Sequence, residues 1–149
     1  MAKYKNDKGQ SVVEFALVLP LLAMLLIGVI KFGILLNNYI TLTNAVAIGA
    51  RTLAVNSSAG AGPPTACTLA ETALKNAAVN LNQSSITIAP ETFSGTGGST
   101  CSNLVAGDAA TMQATYPCNL TIPFAGINLC PVVTSKGSFI SSQTTVRIE

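Results

Sequence analysis

Nineteen consecutive residues, Val12 to Ile30, are almost unbroken hydrocarbon, with Glu14 as the one ionisable side chain among them. As an α-helix this run rises ~28 Å, close to the hydrocarbon thickness of a bilayer. No domain core of a 149-residue chain needs such a run, so it constrains the fold more than any other feature. Lys3, Lys5 and Lys8 precede it against Asp7 alone. The positive-inside rule then puts the N-terminus in the cytoplasm and everything after Lys31 across the membrane. A cleaved Sec signal peptide shares the basic start and the apolar stretch. Against it stand the length of the run, Glu14 near its start, and the sequence KFGILLNNY after Ile30, which lacks a small-x-small cleavage site.

Outside the first nine residues the charges cancel. Lys31, Arg51, Lys75, Lys136 and Arg147 face Glu14, Glu71, Glu91, Asp108 and Glu149. A neutral body has no electrostatic footprint for a phosphate backbone, so nucleic acid is not an expected partner. With no His, no spaced carboxylate pair outside the membrane and no Gly-rich phosphate loop, no catalytic constellation is present in the sequence, and neither enzyme activity nor a cofactor is expected. Four cysteines, Cys67, Cys101, Cys118 and Cys130, all lie in the polar part. An even count beyond the membrane suits two disulfides in an oxidising compartment. Three pairings are open; Cys67–Cys101 with Cys118–Cys130 closes the shorter loops and is the expected one. A zinc site is the alternative, but the chain has no CxxC pair and no His, so no metal is expected.

Glu14 has two readings. A carboxylate near the end of a span either snorkels to the headgroups or is kept as the partner of a positive charge. Its neighbours bear on the choice. The run GQSVVEFALVLP places a Gly five residues before the Glu, behind a basic leader. That order resembles the prepilin peptidase site, with cleavage between Gly9 and Gln10. More narrowly, Glu14, Phe15, Pro20, Lys31, Phe32, Gly33, Asn44, Ala45, Ala50 and Arg51 resemble the TadE-like family of the tight-adherence pilus system, and the closing TTVRIE resembles that family's last strand. The match is good over about the first 55 residues and slight in the middle. Gln10, where classical type IV pilins commonly carry Phe, favours the Tad-type branch. The chain is also far longer than a Tad major pilin, so the resemblance implies a minor pseudopilin.

The helical pattern continues past Lys31 to Asn56-Ser57-Ser58 and the Gly-Pro run Gly60 to Pro64. Leu35, Tyr39, Leu42, Val46, Gly49 and Leu53 form one apolar stripe at steps of three and four. A helix from Ser11 to Val55 would run ~67 Å, twice what the bilayer needs. Its distal stripe must pack on the chain's own head, on neighbouring subunits, or on both. Pro20 predicts a kink or local melting inside the span. Beyond the linker, Thr68 with Glu71 reads as a capping box, followed by a short helix through Leu81. Ser85–Ile88, Asn119–Phe124 and Thr144–Ile148 alternate like strands, and Thr92–Thr100 reads as a flexible loop.

The expected fold is therefore α+β. A basic leader occupies residues 1–9 and a long helix 10–55, its transmembrane part about 12–30. A linker follows at 56–64, then a disulfide-containing head at 65–149 with a short helix and about three antiparallel strands. The expected location is the bacterial inner membrane, N-terminus cytoplasmic and head extracytoplasmic, with cell-surface display in a pilus as the other site. As the resemblance implies, the partners are prepilin peptidase, other pilin-like subunits, the pilus assembly platform and membrane lipid. The competing functions are a membrane-tethered extracytoplasmic binding or adhesion module, and a bulk filament subunit.

Overall fold

A computed structural model describes residues 7–57, 65–95, 101, 104–121, 128, 130, 132–134 and 137–149. The first element, α1, is one helix from Asp7 to Val55, and it runs through Pro20 without interruption. A shorter helix, α2 (Ala66–Ala77), follows. The strands are β1 (Thr87–Ile88), β2 (Thr92–Ser94), β3 (Ala109–Pro117), β4 (Val132–Thr134) and β5 (Gly137–Arg147). All pairings are antiparallel. β3 and β5 form the long central ladder, from Ala109 opposite Arg147 to Pro117 opposite Phe139. β1 and β2 follow one another along the far edge of β3, and β4 closes the other side on β5. The α+β class holds, with five strands in four lanes among the described residues rather than about three.

The two halves of α1 meet different surroundings. From Val12 to Phe32 the large apolar side chains are exposed. From Leu42 onward, Leu42, Ala45, Val46, Ala50 and Leu53 are buried beneath the head. The stripe thus does pack on the chain's own head, but only in its distal part. Tyr39 remains 45% exposed and is not covered. Small residues on α2, Ala66 and Ala70, let the two helices approach, and Leu74 fills the space between them. Burying Leu42, Leu53 and Leu74 fully contributes about 1.5–3 kcal/mol each before entropy is counted. On β3, alternate residues Ala110, Met112 and Ala114 face this core. The outward Thr111 shares a hydroxyl hydrogen bond with Thr145 on β5, at 2.8 Å.

Several local expectations need correction. The cap of α2 is Thr65, whose hydroxyl accepts from the Thr68 N–H at 3.4 Å. Thr68 instead donates its hydroxyl to the Thr65 carbonyl at 2.8 Å. Glu71 then falls beyond the first turn, too far along to reach back to the cap, so no capping box forms. The expected strand at Ser85 starts late, because Asn82 caps a 3₁₀ turn over Gln83–Ser85 that holds those residues out of the ladder. Thr92–Ser94 is strand β2 rather than loop, since β3 offers it an open edge; residues 96–100 of that expected loop lie outside the described residues. Asn119 and Leu120 are not strand, and Thr121 makes only an isolated bridge to Asn128. The Ile122–Phe124 part of that expected strand lies outside the described residues. So do residues 1–6 of the expected leader and 58–64 of the expected linker.

Candidate functional site

Two regions hold the candidate functional residues: the exposed part of α1, and the disulfide-bridged face of the head. Gly9 lies within the first turns of α1, and nothing among the described residues stands within 4 Å of where its side chain would be. A glycine inside a helix costs about 0.5–1 kcal/mol relative to alanine. The fold of this chain does not use the space it leaves. Gln10 and Glu14 follow on one face, and the Gln10 side-chain amide donates to Glu14 Oε1 at 3.3 Å. Both are exposed, on a part of α1 that the head does not cover. Gly28 and Gly33 likewise open onto empty space. Glu14 is therefore an accessible carboxylate on an apolar rod, one helical turn from position 10.

In the head, the bridges are Cys67–Cys101 and Cys118–Cys130, with Cα separations of 5.8 and 6.0 Å. The first ties α2 to the segment leading into β3. The second closes a loop between β3 and β4. Pairing spends all four thiols, so the sulfurs offer no thiolates to a metal.

The residue that the sequence did not single out is Glu91. Its carboxylate lies within 4.8 Å of the sulfurs of Cys67 and Cys101. Its Oε1 is buried and has no hydrogen-bond partner among the described residues. Burial, helped by the negative charge of Glu71, pushes the Glu91 carboxyl above its ordinary value of 4.5, against a hydrogen bond from its own backbone. The folded state then holds this proton more tightly than the unfolded chain does. Its contribution to stability is full below pH 4.5 and is lost as the pH rises through the raised folded value. Glu91→Gln should therefore raise the urea midpoint of the head at neutral pH and remove this part of the pH slope. A midpoint for Glu91→Gln no higher than wild type at pH 7 would show that the carboxylate is well solvated. No sequence pattern announces Glu91, because its neighbours α2 and the first disulfide are brought to it only by folding.

The residues that order α1 also carry the comparison with known proteins. Residues 9–51 match the family model described as TadE-like protein. Comparison with curated proteins and with solved structures returns no significant match. The matched segment starts at Gly9, ends at Arg51 and stays within α1. Over that helix, from the exposed apolar rod to the part that seats the head, the chain is similar to the TadE-like family, as Glu14, Pro20, Phe32, Asn44 and Arg51 had implied.

Proposed function

We propose that the chain is a structural, non-catalytic pseudopilin of a Tad-type pilus. It sits in the inner membrane through the first part of α1, with its head on the extracytoplasmic side. Prepilin peptidase cuts it between Gly9 and Gln10, and it joins other pilin-like subunits or the assembly platform through the exposed helix. The observation that carries this reading is the TadE-like match lying on a helix whose first half is exposed hydrocarbon, long and apolar enough to cross a membrane.

N-terminal sequencing of the protein from its native membrane tests the reading, together with blotting of purified filaments. The mature chain should begin at Gln10. Gly9→Phe should remain uncut, because a large side chain blocks the close approach that glycine allows a peptidase. This variant should still fold, since position 9 faces open space. A mature protein starting near Ala50 would instead mark a Sec signal peptide, and normal trimming of Gly9→Phe would remove the peptidase from the account.

A further inference from the structure

A groove of about 620 Å³ separates the membrane half of α1 from the start of the Cys118–Cys130 loop. Leu21, Met24, Gly28 and Phe32 are on the helix side, and Leu120 with Thr121 on the other. Among the described residues Lys31 is the one charged residue lining it, and it stands at the end nearest the head. Along the helix axis the groove extends ~16 Å, from Leu21 to Phe32. The fully buried contact of the head with α1 begins only at Leu42, ~15 Å beyond Phe32. Leu120 therefore reaches back from the head's core toward the apolar span. The chain between the two cysteines, residues 119–129, contains no charged side chain.

We propose that this groove holds an acyl chain of an anionic phospholipid in the leaflet facing the head, its phosphate on the Lys31 ammonium. The inference rests on the membrane-spanning reading above. The helix wall is the same surface that meets lipid tails along the rest of the span, so the groove is continuous with that surface. Gly28 leaves a notch without a side chain, which a flexible tail fills more readily than a rigid helix does. Lys31 lies just past the apolar run, at the depth of headgroup phosphates, where a lysine pairs with phosphate while its stem stays in hydrocarbon. A parallel second copy in register would bring its own Lys31 against this one, and among the described residues the groove has no acidic side chain to offset the repulsion.

The chain has no tryptophan, so a single introduced indole is a unique reporter. Leu120→Trp and, as a control on the span away from the groove, Leu26→Trp are placed as full-length, disulfide-bonded protein in nanodiscs holding one copy each. The lipid is phosphatidylcholine with a minority of either phosphatidylglycerol or phosphatidylcholine carrying brominated tails. Both indoles should be quenched at least twofold. At position 120 the brominated phosphatidylglycerol should quench more strongly, and adding Lys31→Gln should abolish that preference. Thr121→Trp, on the exposed neighbour, repeats the reading should Leu120→Trp disturb the disulfides on a non-reducing gel. Quenching at position 26 but not at 120 or 121 overturns the groove and leaves the span standing. No quenching at either depth overturns both. Equal quenching by the two lipids in the wild-type Lys31 background overturns the phosphate assignment. Quenching at 120 that is present in single-copy discs but lost in discs holding two copies makes the occupant a second chain and overturns the lipid.

Discussion

Glu14→Gln should leave the protein inserted, trimmed after Gly9 and disulfide-bonded, yet lower its incorporation into filaments by about tenfold or more, the effect of ~1.4 kcal/mol. The reason lies in where Glu14 sits. It is the one acid of the apolar run, exposed on α1, and ~42 Å along the axis from Leu42, where the buried core begins. The head therefore folds without it. A carboxylate in a span costs up to ~2.5–3.5 kcal/mol at the centre and less near an end, so an unpaired one is a liability. Trimming would give Gln10 a protonated α-amino group one turn away, or within reach from a staggered neighbour. Pairing that amine with Glu14 across two copies would then set their axial register. Gln keeps the shape and the polar contact but removes the charge. Band intensities in sheared filaments, normalised to membrane protein level, read the result. Wild-type incorporation of Glu14→Gln would mean that the carboxylate only snorkels to the headgroups.

Gly49→Val should unseat the head from α1. A side-chain carbon at Gly49 would stand 2.7 Å from Met112 Sδ, 3.0 Å from Leu74 Cβ and 3.1 Å from the Ala70 carbonyl oxygen. Met112 can swing its sulfur aside, but α2 has to move bodily to relieve the other two contacts. Overpacking of this kind typically costs about 1–3 kcal/mol, and a β-branched side chain lies at or above the upper end. Urea titration in detergent, followed by tyrosine fluorescence of the head, should show Gly49→Ala clearly destabilised and Gly49→Val largely unfolded in the head. Gly28→Ala and Gly33→Ala are the controls. Both face open space, so alanine should leave the head unchanged and favour the helix slightly. Equal behaviour of Gly49→Ala and Gly33→Ala would show that α2 yields at no cost.

The apolar first half of α1 was legible because its physics is local. Val12 to Ile30 must leave water whatever the rest of the chain does, and length alone matches it to a bilayer. The break of α1 near Val55 was readable for the same reason, as Asn, Ser, Gly and Pro end helices without tertiary help. The α2 cap was misread by three residues because Thr65 and Thr68 both suit a helix start, and the choice fell to where Ala66 and Ala70 meet α1. Strand β3 was missed altogether. Its inward residues, Ala110, Met112 and Ala114, are poor strand formers, and they are strand because β5 pairs with them along nine positions.

The sequence by itself determined a TadE-like apolar helix, an acid at position 14 behind a glycine, and a cysteine-bearing polar head. Each of these follows from residues close together in the chain. Only the tertiary structure decided which part of the apolar stripe stays uncovered, that Gly49 is the contact point of the two helices, that Glu91 lies against the Cys67–Cys101 bridge, and that Leu120 faces the span near Lys31. Those juxtapositions join segments tens of residues apart, where side-chain volume and sheet pairing, rather than local propensity, set the position.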